Sequence, residues 1–144
     1  MNEKDTVKLL RECDAGVKMG ISSIEDVVDR VQASRFRQQL ANSRADHQQL
    51  EKEIQTQLDR FSDEGKDPNP MAKGMSWIKT NAKMAVDGSD QTIADLMTDG
   101  CNMGVKSLNR YLNQYKAADE KAKDITKRLI NLEESLAIDI RSYL

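Results

Sequence analysis

"SDEGKDPNPMAKGMSWIKTNAKMAVDGSD", residues 62–90, decides how this chain folds. Gly65, Pro68 and Pro70, set among polar residues, end any helix that reaches them from upstream. "MAKGMSWIKTNAKMAV", 71–86, reads as a short helix and carries the only tryptophan, Trp77. "DGSD" at 87–90 stops it, and Ser89 or Asp90 can cap a new helix by accepting from its free N–H groups.

A pair of long helical patterns stands on each side of this stretch. Upstream, residues 5–31 place Val7, Leu10, Val17, Ile21, Ile24, Val28 and Val31 on one stripe, with Asp5 or Thr6 as N-cap. The phase breaks at "QASR", where Ser34 can cap a second helix that turns Phe36, Leu40, Ser43, His47, Leu50, Ile54, Leu58 and Phe61 inward. Downstream, a third helix runs to about Ala117 with Ile93, Met97, Cys101, Val105, Leu108, Leu112 and Tyr115 inside. A fourth, from about Asp119 to the C-terminus, turns Ile125, Leu129, Leu132, Leu136, Ile140 and Tyr143 inward. Only tight turns separate the members of each pair, so each pair is an antiparallel hairpin. A helix of about 26 residues is about 39 Å long. Residues 62–89 are numerous enough to travel back along that length, as the connection must if helices two and three are parallel. The expected architecture is all-α: residues 1–144 form one domain, a four-helix bundle of two hairpins with a long crossover.

Composition narrows the partners. Charged residues are 32% of the chain, yet the net charge is only −2 with both signs interspersed. A broad surface for nucleic acid needs clustered Lys and Arg, so none is expected. Two cysteines are not a disulfide framework. "MNEKDTVKLL" lacks the apolar core of a signal peptide, and no apolar run approaches the roughly 18 residues of a membrane span. A cytoplasmic protein without membrane contact is the expectation.

"CDAGVK" at 13–18 returns as "CNMGVK" at 101–106. At the same offset Ile24 matches Leu112. Past the turn the offset falls by two, and Leu50 matches Leu136, Ile54 matches Ile140 and Leu58 matches Leu144. A duplicated helical hairpin explains the pattern. Gly16 and Gly20 are mirrored by a second pair with the same spacing, Gly100 and Gly104. Mid-helix glycine costs about 1 kcal/mol relative to alanine, so the two pairs imply that helices one and three pass close together. A groove for a ligand is the other reading.

"LLRECDAGVKMGISSIEDV" (9–27) and "IKTNAKMAVDGSDQTIADLMTDGCNMGVKSLNRYL" (78–112), together with the hairpin plan, resemble the ferritin-like superfamily. More narrowly they are similar to a bacterial four-helix-bundle family that carries only a domain-of-unknown-function label. The resemblance implies a ferritin-like fold. A dinuclear centre of that superfamily draws a carboxylate from each of two helices and Glu-x-x-His from each of the other two. Here Arg44 stands three residues before His47, and helix four has Glu133 and Glu134 but no histidine. Helices one and three offer Cys13, Asp14, Cys101 and Asn102 instead. No metal ligand carries over, and no cofactor is expected.

Cys13, His47 and Cys101 are the remaining metal candidates, since zinc accepts thiolate and imidazole. The Cys-x-x-Cys spacing is absent, however, and His47 falls about one helical turn from the level of Cys13. Buried free cysteine is commonly a small hydrophobe, and a histidine on an apolar stripe is usually a hydrogen-bonded core residue. Asp14 also lies on a stripe, so it must be hydrogen-bonded or reach solvent at the edge. No base or phosphate loop accompanies either thiol. Lys121, Lys123, Lys127 and Arg128 alternate with acids, as on a solvated face. Arg35, Arg37 and Arg44 form a slightly stronger patch, but the only aromatic among them, Phe36, belongs to the core. Met71, Met75, Trp77, Ile78 and Met84 give the crossover an adaptable apolar surface, for a partner or for capping one end of the bundle. The reading is a non-catalytic bundle acting by protein–protein contact, with a protein partner or as a homo-oligomer. The alternative is an atypical metal-binding or redox protein using Cys13, Cys101 and His47.

Overall fold

The apolar stripes become four long helices: α1 (Glu3–Val27), α2 (Ser34–Arg60), α3 (Asp90–Gln114) and α4 (Glu120–Ile140). Single 3-10 turns extend α1 at Val28–Arg30 and α4 at Arg141–Tyr143. The structure, a computed structural model, describes residues 2–68 and 88–144, and no strand occurs among them. The short helix expected over 71–86, with Trp77, lies outside the described residues.

Buried positions follow the helical period, although of the residues assigned inward Val7 and Val28 on the first helical stretch, Val105, Leu112 and Tyr115 on the third, and Leu132 and Tyr143 on the fourth are only half-buried. All eight residues assigned inward on α2 are buried except Phe61, which is half-buried at the helix end. α1 packs on α2, and α3 packs on α4, as two hairpins. The hairpins join through α2–α4 and α1–α3, and α1 also touches α4 across the diagonal.

Polar ties fix which ends meet. The Asp90 carboxylate accepts from the N–H groups of Gln32 (2.8 Å) and Ala33 (2.9 Å), so α3 begins beside the α1–α2 turn. At the opposite end the Asn2 N–H donates to the Ala117 carbonyl at 2.7 Å, and the Asp119 N–H donates to Thr6 Oγ1 at 2.8 Å. α2 and α3 therefore start at the same end and run parallel, and the connection between them re-enters at the end opposite to the one it leaves. Capping differs in detail from the sequence reading. Asn2, not Asp5 or Thr6, caps α1. Asp5 and Thr6 instead hold the α3–α4 turn. The start of α2 uses Asp90 from across the turn and not Ser34. Ser89, one of the two candidates, caps α3, and Asp119, where the fourth helix was expected to begin, caps α4.

The core is in two parts. One gathers Leu9, Cys13 and Val17 of α1, Leu50 and Ile54 of α2, and Leu129 of α4, toward the α3–α4 turn. The other gathers Ile24, Phe36, Leu40, Met97, Cys101 and Leu136 toward the α1–α2 turn. Tyr143 stacks on Phe36 there, with ring centroids 4.6 Å apart, and the C-terminal 3-10 turn thereby closes that end.

Candidate functional site

Between the two apolar halves lies a polar layer. On α2 it falls at Ser43 and His47, between Leu40 and Leu50. On α4 it is Glu133, between Ile130 and Leu136. His47 is 0% exposed and Glu133 8%. His47 Nδ1 donates to the Ser43 carbonyl at 2.7 Å, and Nε2 lies 3.3 Å from Glu133 Oε1. Cys101 of α3, also buried, lies near the same carboxylate. Burial alone would lower the His47 pKa, but the bond to Glu133, its charge and the Ser43 carbonyl outweigh that and raise it above the ordinary value.

Glycine makes this layer possible. A Cβ on Gly20 of α1 would stand 2.8 Å from His47 Cδ2 and Nε2, so the imidazole occupies space that any other residue would fill. A Cβ on Gly104 of α3 would face Glu133 Cδ at 3.7 Å. α1 and α3 do approach each other, but the glycines face side chains and not the opposite backbone: Gly16 faces Leu129 of α4 and Leu108 of α3, Gly20 faces His47 of α2, and Gly104 faces Glu133 of α4. A cavity of about 320 Å³ opens beside them, lined by α1 and α3. Gly16, Gly20, Gly100 and Gly104 all line it, with Met19 and Met97 among its apolar walls and His47, Glu133 and Cys101 in its polar wall.

The candidate triad of Cys13, His47 and Cys101 is not assembled. α1 and α3 are antiparallel, so matching positions of the recurring hexamer fall on opposite sides of the middle. Cys13 lies in the other half of the core, where its Sγ is 3.1 Å from Thr126 Oγ1. Burial, together with the nearby charges of Glu12 and Asp14, pushes its thiol up to about 12 despite the Thr126 bond. Burial and Glu133 push Cys101 up as well. A thiol needs its thiolate form to attack or to ligate. Among the described residues no group of three His, Cys, Asp or Glu side chains is placed to hold a metal.

Asp14 is the second buried polar centre, 0% exposed and satisfied by three donors. Lys18 Nζ donates at 2.9 Å, Gln55 Nε2 at 2.8 Å and the Lys66 N–H at 2.9 Å. It thus joins α1 to α2 and to the first residues of the crossover. Lys66 Nζ–Glu12 (2.6 Å) and Lys18–Asp67 (3.2 Å) continue the clamp. The basic residues outside are also engaged: Arg128 forms a two-pronged pair with Glu53 (2.7 and 2.9 Å), Arg44 meets Glu25, and Arg37 donates to the Val31 carbonyl.

Glu133 is the site residue that sequence reasoning missed. A signal was present, because His47 and Glu133 are 86 residues apart, the offset that pairs Leu50 with Leu136.

Fold and site define an all-α helical bundle with a buried imidazole–carboxylate layer and a glycine-lined cavity. No protein-family model matches the chain, and neither a curated protein nor a solved structure matches it. No helix among the described residues is long and apolar enough to cross a membrane.

Proposed function

We propose that this chain is a non-catalytic, ferritin-like bundle that acts by protein–protein contact, with a protein partner or with further copies of itself. One observation carries the reading: the ionisable groups of the core are engaged with one another. His47 and Glu133 pair, and burial holds both thiols neutral, which leaves neither a free base nor a nucleophile there at neutral pH. Function then falls to the outside. Ile138 (55% exposed) and Leu144 (52%), both in the C-terminal part of the chain, offer apolar anchors for a contact. The ferritin-like assignment is supported by the order hairpin, long connection, hairpin. A duplicated hairpin is supported by the meeting of His47 and Glu133 at equivalent positions of α2 and α4.

The test has two arms. Elemental analysis of protein purified without a chelating tag should find no stoichiometric iron, manganese or zinc. Sedimentation velocity and in-cell crosslinking should find self-association or a defined partner, weakened by Ile138→Glu. Stoichiometric metal that is lost in Cys101→Ala would reject the proposal in favour of the metal-binding alternative. A chain that stays monomeric and crosslinks to nothing would reject it outright.

A further inference from the structure

We infer that the cavity between α1 and α3 is a binding site for a compact, uncharged, apolar molecule. The inference stands on the cavity and is independent of the protein-contact reading above.

Size comes first. At about 320 Å³ the space lies at the lower end of small-molecule pockets. An apolar cavity of about 150 Å³ already suffices for benzene. The space is half open, so a small molecule can enter it.

The glycines come second. Gly20 is required by the His47 ring, but packing on the described residues does not require Gly16 or Gly104. A Cβ on Gly16 would meet Leu129 Cδ2 at 3.6 Å, and one on Gly104 would meet Glu133 Cδ at 3.7 Å, both ordinary contacts. Among the described residues alanine would make only ordinary contacts at both places, and it is the better helix former. Glycine there adds no side chain to the cavity wall.

Charge comes third, and it selects the ligand. Glu133 is paired with His47, and both ring nitrogens of His47 are engaged. Glu12, at the other end of the wall, is paired with Lys66. A charged ligand would leave water and find its counter-charges already paired. An uncharged apolar body meets Met19, Ile24, Met97, Leu108 and Leu136, and the unbranched methionines can adapt to its outline.

The full chain is titrated with the neutral fluorophore N-phenyl-1-naphthylamine. Saturable binding of one molecule per chain is expected, with the ¹³C-methyl resonances of Met19 and Met97 shifted. The sulfonated analogue 1-anilinonaphthalene-8-sulfonate should bind about tenfold more weakly. The Gly16→Ala/Gly104→Ala double variant should keep or raise its melting midpoint while losing about fivefold in affinity for the neutral probe. Absence of saturable binding, unmoved Met19 and Met97 methyls, equal affinity for the sulfonate, or unchanged affinity in the double variant would each overturn the inference.

Discussion

At the His47–Glu133 contact one proton has two places to sit. The Nδ1–H is committed to the Ser43 carbonyl, so Nε2 either donates to a carboxylate or accepts from a carboxylic acid. The raised His47 pKa favours the first, an imidazolium. A histidine whose folded pKa lies above its unfolded value stabilises the fold fully below the unfolded value, about 6.5. That stability is lost as pH rises through the folded value. Urea denaturation should therefore show Glu133→Gln falling short of the native protein most between about pH 5 and pH 6.5, with the gap closing at higher pH. A gap that widened with pH would contradict the assignment. Asp14 makes a different case, because its carboxylate accepts from three elements at once. Asp14→Leu leaves the Lys66 N–H and the Gln55 amide without their acceptor and should cost about 2–4 kcal/mol. Gly65, at φ +85°, brings its backbone so close to Asp14 that a Cβ would clash with Oδ2. Gly65→Ala should lose about 1–3 kcal/mol. An Asp14→Leu variant as stable as the native chain would show that the clamp contributes nothing.

The central glycines of α1 and α3 are alike in sequence and unlike in what they meet. Gly16→Ala and Gly104→Ala should each raise stability by up to about 1 kcal/mol, since their new methyls find ordinary contacts. Gly20→Ala should lower it, because its methyl meets the His47 ring at 2.8 Å. Thermal melts of the three single variants would expose a reversed order. The cysteines of the same helices are both buried. Both should label slowly with a thiol reagent in the native protein and rapidly once it is unfolded. The double Cys→Ala variant should keep its fold and lose about 1–3 kcal/mol to small cavities. Rapid labelling of native Cys101, which stands in the cavity wall, would show that its thiol is not held neutral.

Across the whole molecule, the hairpins are held at both ends by bonds between turns. At one end the Asp90 carboxylate holds the α1–α2 turn against the start of α3 with both of its oxygens. Asp90→Ala should cost about 2 kcal/mol. Hydrogen exchange should then quicken first at the amides of Gln32 and Ala33, and protection left unchanged there would show that the tie is not needed. This cross-turn use of Asp90 could not be read locally. "SDQT" is a complete capping signal for α3 by itself, and nothing in it shows that Ser89 does the capping while Asp90 reaches into another turn.

Helix existence, the inward face of each helix and the parallel course of α2 and α3 were legible in the order of residues. They depend on a period of 3.6 and on whether a connecting stretch can span a helix, both of which are properties of the chain in one dimension. The partners of His47 and Asp14, the separation of Cys13 from Cys101 and the cavity were not legible. Each depends on how far one helix is rotated and set apart from another, across sequence separations of 41 residues for Gln55–Asp14 and 86 for His47–Glu133. The glycines show the division most plainly. Their spacing announced that side chains had been withheld from the middle of two helices. Only packing decided that the vacated volume would be filled by an imidazole at Gly20 and left open elsewhere as a cavity.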